Sequence, residues 1–131
     1  MLLLDTNVCV RILNGTSTSV RERFERESPE TVVLCSVVKA ELLFGARKSA
    51  RVAAVLQALE RFFEPLRSFS FDDGCAHEYG LLRADLERQG QPIGANDLMI
   101  AAIARRNDLT VVTHNVDEFA RVVGLRVDDW E

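Results

Sequence analysis

The sequence predicts an α/β fold built on a parallel sheet. Short apolar runs, LLL at 2–4, TVVLCS at 31–36 and LTVVT at 109–113, are too brief for helices. The longer stretches between them carry apolar residues at helical spacing. Strands that alternate with helices build a mostly parallel sheet covered by helices on both faces. The crossovers are expected to be right-handed, and ligands of such sheets bind in the crevice beyond the carboxyl ends of the strands.

Each element has its own signal. The LLL run ends at Asp5, and Asp5, Thr6 and Asn7 together read as a helix start. VCVRILNG is a short helix stopped by Gly15. Residues 17–27 (STSVRERFERE) are a charged, surface-facing helix that Ser17 or Thr18 can cap. TVVLCS is continuous and β-branched, as a buried strand should be. VKAELLFGARK continues as a helix with Val38, Leu42 and Ala46 on its apolar side. In residues 50–63, Val52, Val55, Leu56, Leu59 and Phe63 share one helical face. Pro65 ends that helix before a short extended segment, PLRSFSF. An amphipathic helix runs from Asp72 to Gln89, closed by Gly90 and Pro92. Residues 96–107 (NDLMIAAIARRN) form a very apolar helix, LTVVT a strand, VDEFARVV a short helix and LRVDDW an edge strand.

With 131 residues, one domain spanning 1–131 is expected, large enough for a substantial core. No apolar stretch is long enough to cross a bilayer, and the N-terminus lacks a signal-peptide pattern, so no membrane partner is expected. Cys9, Cys35 and Cys75 follow neither a CxxC nor a zinc-ribbon spacing and sit among apolar residues. They read as buried, reduced thiols, which points to the cytoplasm. His77 and His114 lie far apart, so no His/Cys zinc site is visible. The net charge of −4 excludes an overall basic nucleic-acid binder. Of 16 basic residues, however, all but Lys39 and Lys48 are arginine, which forks onto phosphate as lysine does not. A GC-rich genome explains the same bias without any ligand.

The acidic residues fall in a pattern. Asp5 ends the first strand, and Glu41 lies in the helix after the second. Asp97 begins the helix at 96–107, and Asn115, Asp117 and Glu118 follow LTVVT. Separate segments thus deliver carboxylates to one edge of the sheet. Each also has a structural reading. Asp5, Asn96 and Asp97 can cap helices or meet a helix dipole. Glu41 can be solvated, and Asp117 and Glu118 can open a short helix. Glu41 is oddly placed for a solvated charge, between Ala40 and Leu42, Leu43 and Phe44. Two carboxylates ~4 Å apart repel by about 4 kcal/mol at an effective dielectric of ~20, so such a cluster calls for a cation. Oxygen donors select Mg²⁺ or Mn²⁺, ions that keep waters and can activate one against a phosphodiester. The hydroxyls of Thr6, Ser36 and Thr113 stand at the same strand ends, where they can orient carboxylates or cap helices.

LLLDTNV, SVVKAELLFGARK, IGANDLMIAAIA and VVTHNVDEF, in this order, resemble a PIN-domain ribonuclease of the VapC type, the toxin of a type II toxin–antitoxin pair. The tail GLRVDDW is similar to the usual ending of such toxins, so the resemblance runs from Leu4 to Trp130. It implies a small, Rossmann-like three-layer α/β/α sandwich around a central, mostly parallel sheet. It also implies Mg²⁺- or Mn²⁺-dependent endonucleolytic cleavage of RNA. The family's metal ligands map onto Asp5 and Asp97, with Glu41 in the shared acidic cluster. The fourth acidic position falls in VVTHNVDEF. Many PIN domains carry aspartate where this chain has Asn115, and Glu118 is the better candidate, ahead of Asp117. That departure puts a second metal in doubt.

The resemblance further implies a homodimer, a VapB-type antitoxin bound in the catalytic groove, and transfer RNA as substrate. HEYGLLRADLERQGQPIGANDLMIAA is similar to the subgroup that cuts initiator tRNA. Arg83, Arg88, Arg105 and Arg106 can grip an RNA backbone or simply be solvated. A phosphorelay receiver domain would need paired acids after the first strand and a lysine after the last, and has neither here. No GxGxxG or GxxxxGK[ST] supports nucleotide binding. A non-catalytic PIN-like module that holds RNA or a partner is the remaining alternative to the nuclease.

Overall fold

Five short strands take up the apolar runs, and seven helices connect them. In the computed structural model, which describes residues 1–131, the order is β1 (Leu2–Leu4), α1 (Thr6–Asn14), α2 (Thr18–Arg26), β2 (Val32–Cys35), α3 (Ser36–Lys48) and α4 (Val52–Phe63). β3 (Arg67–Phe69), α5 (Asp73–Arg88), α6 (Ala95–Arg106), β4 (Thr110–Val112), α7 (Val116–Phe119) and β5 (Arg126–Asp128) follow. The sheet order is β3-β2-β1-β4-β5. Every pairing is parallel, so the expected mostly parallel sheet is parallel throughout. Strand addition reverses direction once, after β3. Right-handed connections then carry α1–α4 over one face and α5–α7 over the other, giving three layers. The reversal leaves β1 beside β4, with Leu4 opposite Val112. A crevice opens beyond such a neighbouring pair.

The centre of the sheet is dry. Leu3, Leu4, Val32, Val33, Leu34, Val111 and Val112 are all buried. Strands buried on both faces read as continuous apolar runs rather than alternating ones. Helix α6 is buried over most of its length, from Leu98 and Ile100 through Ala104. Its three buried alanines, Ala101, Ala102 and Ala104, let it lie close against its neighbours. Helix α3 buries Val38, Leu42 and Ala46, the side expected from its spacing. In α4 the structure buries Phe62 with Leu59, whereas Phe63 is only half-buried.

Helix ends follow side-chain and glycine chemistry. Ser17 caps α2 by accepting from the Val20 N–H, and Asp72 caps α5 through the Cys75 N–H. Gly15, at φ 65°, closes α1 in the left-handed conformation that suits glycine. Several boundaries differ from expectation: α3 begins at Ser36 and not at Val38, and α4 at Val52 and not at 50. Helix α1 begins at Thr6, directly after the strand, because Asp5 is its cap. Helix α7 ends at Phe119 and not at Val123. Beyond it the Arg121 and Val122 amides reach back only three residues, to Glu118 and Phe119, in turns that bury Val122. The cysteines are free and buried, as expected. No helix is long and apolar enough to cross a membrane.

Leu3→Ala, at a fully buried position in the central strand, is expected to cost about 3 kcal/mol in urea unfolding. Leu81→Ala, at an exposed position on α5, should stay within about 0.5 kcal/mol. Equal losses for the two would contradict this placement of the core.

Candidate active site

The carboxyl ends of β1, β2 and β4 point to the same rim. Asp5 leaves β1 and turns at once into α1. Its Oδ1 accepts from the Thr6 N–H at 2.8 Å, so it does cap the helix. Its Oδ2 accepts from the Thr113 hydroxyl, beyond β4, at 2.8 Å. Capping and site-building are therefore one arrangement, and both oxygens are held although the residue is only 6% exposed. Glu41 projects from α3, which begins without a loop after β2. The Thr6 hydroxyl donates to its Oε1 at 2.9 Å, so Glu41 is half-buried and tied in.

Asp97 lies in the first turn of α6, whose N-cap is Gly94 with no side-chain cap. Glu118 comes from α7. Its Oε1 accepts from the Gly94 N–H at 2.7 Å and its Oε2 from the Asn115 amide at 2.6 Å. The same Asn115 amide reaches Asp97 Oδ2 at 3.4 Å, and the Asn115 N–H donates to Thr113 Oγ1 at 3.0 Å. A continuous relay thus runs from Asp5 through Thr113 and Asn115 to Asp97, Glu118 and Gly94.

The structure brings Asp5, Glu41, Asp97 and Glu118 together, with Thr6, Thr113 and Asn115 between them. Asp117 is exposed and makes no hydrogen bond to the group. Ser36 turns elsewhere: its hydroxyl accepts from the Phe71 N–H at 3.2 Å and fastens the chain beyond β3. Asn96 caps nothing. Among the arginines, Arg83 pairs with Glu87, Arg88 with Asp85 and Arg105 with Glu78, whereas Arg106 makes no ion pair. Sequence reasoning missed Gly94, whose contribution is a backbone N–H; the glycine just before the apolar helix was the available signal. It also missed an exposed cluster in which His114 meets Asp129 at 3.1 Å and Glu131 at 3.3 Å. Arg11 pairs with that same Glu131 at 3.1 Å.

Crowding shifts the acids. Burial raises the Asp5 carboxyl; the Thr113 and Thr6 hydrogen bonds oppose this, and the Glu41 and Glu118 charges add to it. Burial, followed by the charges of Asp5 and Glu118, pushes Asp97 up to about 7. Burial alone would raise Glu118 too. Donation from Gly94 and Asn115, with Asp97 and Arg121 alongside, holds it below the usual range instead. Asp97 therefore holds its proton more firmly than its neighbour Glu118. None of the four acids forms an ion pair with a lysine or arginine. Behind them, burial pushes the Cys9 thiol well up and that of Cys35 to about 11, so neither is a nucleophile at neutral pH.

The raised Asp97 sets a pH dependence. The folded state binds a proton that the unfolded state releases near its ordinary value of 3.8. This contribution to stability is complete below that value and is lost as pH rises through about 7. In EDTA, the wild type is expected to lose stability from about pH 4 to about pH 7, while Asp97→Asn has a flatter profile. At the alkaline end the variant should melt several degrees higher by calorimetry. A variant that melts no higher there would remove the repulsion inferred for this pair.

Comparisons with known proteins speak to the family and the fold. The PIN-domain family profile matches residues 2–125. The tRNA(fMet)-specific endonuclease VapC of Shigella flexneri is 41% identical over 128 residues, covering 98% of this chain and 96% of that protein. Ribonuclease VapC2 of Rickettsia felis is 36% identical over 130 residues, covering 98% and 97%. The crystal structure of VapBC2 from Rickettsia felis, bound to a DNA fragment from its promoter, superposes with a TM-score of 0.92. It is 35% identical and covers 99% of this chain and 98% of that one. A half-buried acidic rim on a fully parallel sheet and full-length similarity lead to one assignment: the chain belongs to the PIN-domain family, in its VapC group.

Proposed function

We propose that the protein is a divalent-metal-dependent endoribonuclease, the toxin of a VapBC-type toxin–antitoxin system. In this reading it cleaves structured RNA in the cytoplasm, transfer RNA and initiator tRNA in particular, and so inhibits translation. The observation that carries the reading is the convergence of four carboxylates, none of them in ion-pair contact with a lysine or arginine. The naming of relatives as ribonucleases, one of them specific for tRNA(fMet), supports it.

The donor set fits a hard divalent cation. It offers carboxylate oxygens and no thiolate or imidazole, as Mg²⁺ or Mn²⁺ prefers. Asp97, held near 7 by burial and its neighbours, is a group that a cation would deprotonate. Asp5 and Asp97 are the direct ligands in this proposal, and Glu41 acts through water or toward a second ion. The cation, when bound, supplies charge neutralisation at the phosphate and a more acidic water. The chain's own groups do the rest. Thr113 fixes one Asp5 oxygen and the Thr6 amide the other, so Asp5 presents a set geometry. Thr6 steadies Glu41. Asn115 bridges Asp97 and Glu118 and keeps both facing the rim. Glu118, pinned by Gly94, serves as the fourth acid.

Partners follow the same reading. An apolar cleft of about 490 Å³ opens between α1, α3 and α4, lined by Val10, Leu13, Leu42, Val55 and Leu59, and borders Thr6 and Glu41. It suits an apolar segment of a cognate VapB-type antitoxin laid beside the acids. A homodimer is the proposed state of the free toxin.

The deciding experiment is cleavage of an RNA pool by purified, antitoxin-free protein with Mg²⁺, with excess EDTA, and with Asp5→Asn, the 5′ ends being mapped by sequencing. Discrete cuts with 5′-phosphate and 3′-hydroxyl ends are expected, lost in EDTA and in the variant. Asp5→Asn should retain its melting temperature within a few degrees. A 2′,3′-cyclic phosphate would overturn the mechanism. Absence of cuts from folded protein would favour a non-catalytic module that binds RNA or a partner. Thr113→Val, which frees one Asp5 oxygen without touching the acids, should lower activity or metal affinity about 10- to 100-fold.

A further inference from the structure

We propose that Phe44 and Lys48 form a nucleotide subsite, in which the phenyl ring stacks an unpaired base next to the cleaved phosphate and the ammonium meets the following phosphate. The inference rests on RNA being the substrate. Helix α3 carries Glu41, Phe44 and Lys48 at i, i+3 and i+7, so the three line one helical face. Glu41 belongs to the acidic rim. Phe44, one turn on, is 65% exposed and is the only aromatic among the markedly exposed large apolar residues. Lys48 Nζ sits 5.2 Å from its ring centroid and makes no ion pair.

A lone exposed apolar residue is ordinary on a protein surface. Phe44 differs in what adjoins it. A cleft of about 420 Å³, lined by Ser36, Val37, Ala40, Asn96 and Met99, has both the Phe44 ring and Glu41 on its wall. Its lining is mostly apolar, Glu41 is its one member of the carboxylate rim, and the Lys48 ammonium lies beside the Phe44 ring that borders it. A nucleotide strand has the complementary order: a phosphate for the rim with its cation, a planar base for the ring, and a second phosphate for Lys48. An apolar peptide lacks the two anions.

Stacking on a phenyl ring accepts any base, because every base has a π-face, but it requires the base to be unpaired. The subsite therefore selects loops and single strands rather than a particular letter. Lys48 is one of only two lysines in the chain, and the other, Lys39, lies over the Phe63 ring at 4.9 Å. A lysine here gives a point charge that follows a mobile phosphate without demanding forked geometry.

The test uses the full chain and a uridine oligoribonucleotide carrying one 2-aminopurine, whose fluorescence falls when the base stacks. Binding is titrated with Mg²⁺ present, and strand integrity is checked on a gel. Wild type should bind and quench. Phe44→Ala should bind about 10-fold more weakly and lose the quench, and Phe44→Trp should retain both. Lys48→Gln should keep the quench and lower the salt dependence of binding by about one ion. Unchanged affinity and quench in Phe44→Ala would overturn the proposal. So would a shift of that variant from dimer to monomer in light scattering with RNA binding intact, which would give the face to a second copy. If wild type cuts RNA in the pool assay yet fails to bind or quench this probe, the subsite falls and the nuclease stands. If it neither cuts nor binds, both fall.

Discussion

Mutual repulsion among Asp5, Glu41, Asp97 and Glu118 is the constraint that the surrounding structure answers. Left alone, half-buried carboxylates would separate or protonate. Here each is tied to a donor: Asp5 to Thr6 and Thr113, Glu41 to Thr6, and Glu118 to Gly94 and Asn115. Only Asp97 is left with a single long hydrogen bond from an amide, and it is the acid whose proton is held most strongly. The fold thus maintains the cluster with hydrogen-bond donors that carry no net charge. A lysine in their place would neutralise the acids and close the rim to a metal.

Topology supplies the rigidity. The acids ride on elements anchored in the driest part of the molecule: β1 in the middle of the sheet, α3 emerging directly from β2, and α6 buried along most of its length. The reversal of strand order between β1 and β4 creates the crevice, and the Asp5–Thr113 hydrogen bond spans it. The fold fixes the acids and leaves the surroundings adaptable. An apolar cleft lies on one side of Glu41, and a cleft rimmed by Phe44 and Asn96 lies on the other.

Much of this was legible in the residues. LLL is too short for a helix, so Asp5 had to stand at a strand end. Glu41 stood out because its neighbours are apolar. The very apolar 96–107 segment announced a buried helix with an acid in its first turn. What escaped reading has physical causes. Thr113 holds Asp5 across the whole chain, and no local pattern encodes that distance. Gly94 acts through its backbone, which leaves no side-chain signature. Ser36 has the same chemistry as Thr6 and Thr113, but it opens α3 without a loop and so faces Phe71. The choice among Asn115, Asp117 and Glu118 depends on the rotation of the four-residue α7, which spacing alone does not set. That turn directs Glu118 inward and leaves Asp117 in solvent.

The bond from Thr113 to Asp5 joins residues 108 positions apart. During synthesis, Asp5 is made 108 residues ahead of Thr113 and waits for that partner while the intervening chain is added. Pairing between β1 and β4 has to follow completion of every intervening helix. A growing chain consequently cannot carry an assembled acidic rim while it is still short, whatever its early segments have already folded into. Timing is written into the order of the strands: the ribosome must release the residues around Thr113 before the centre exists at all.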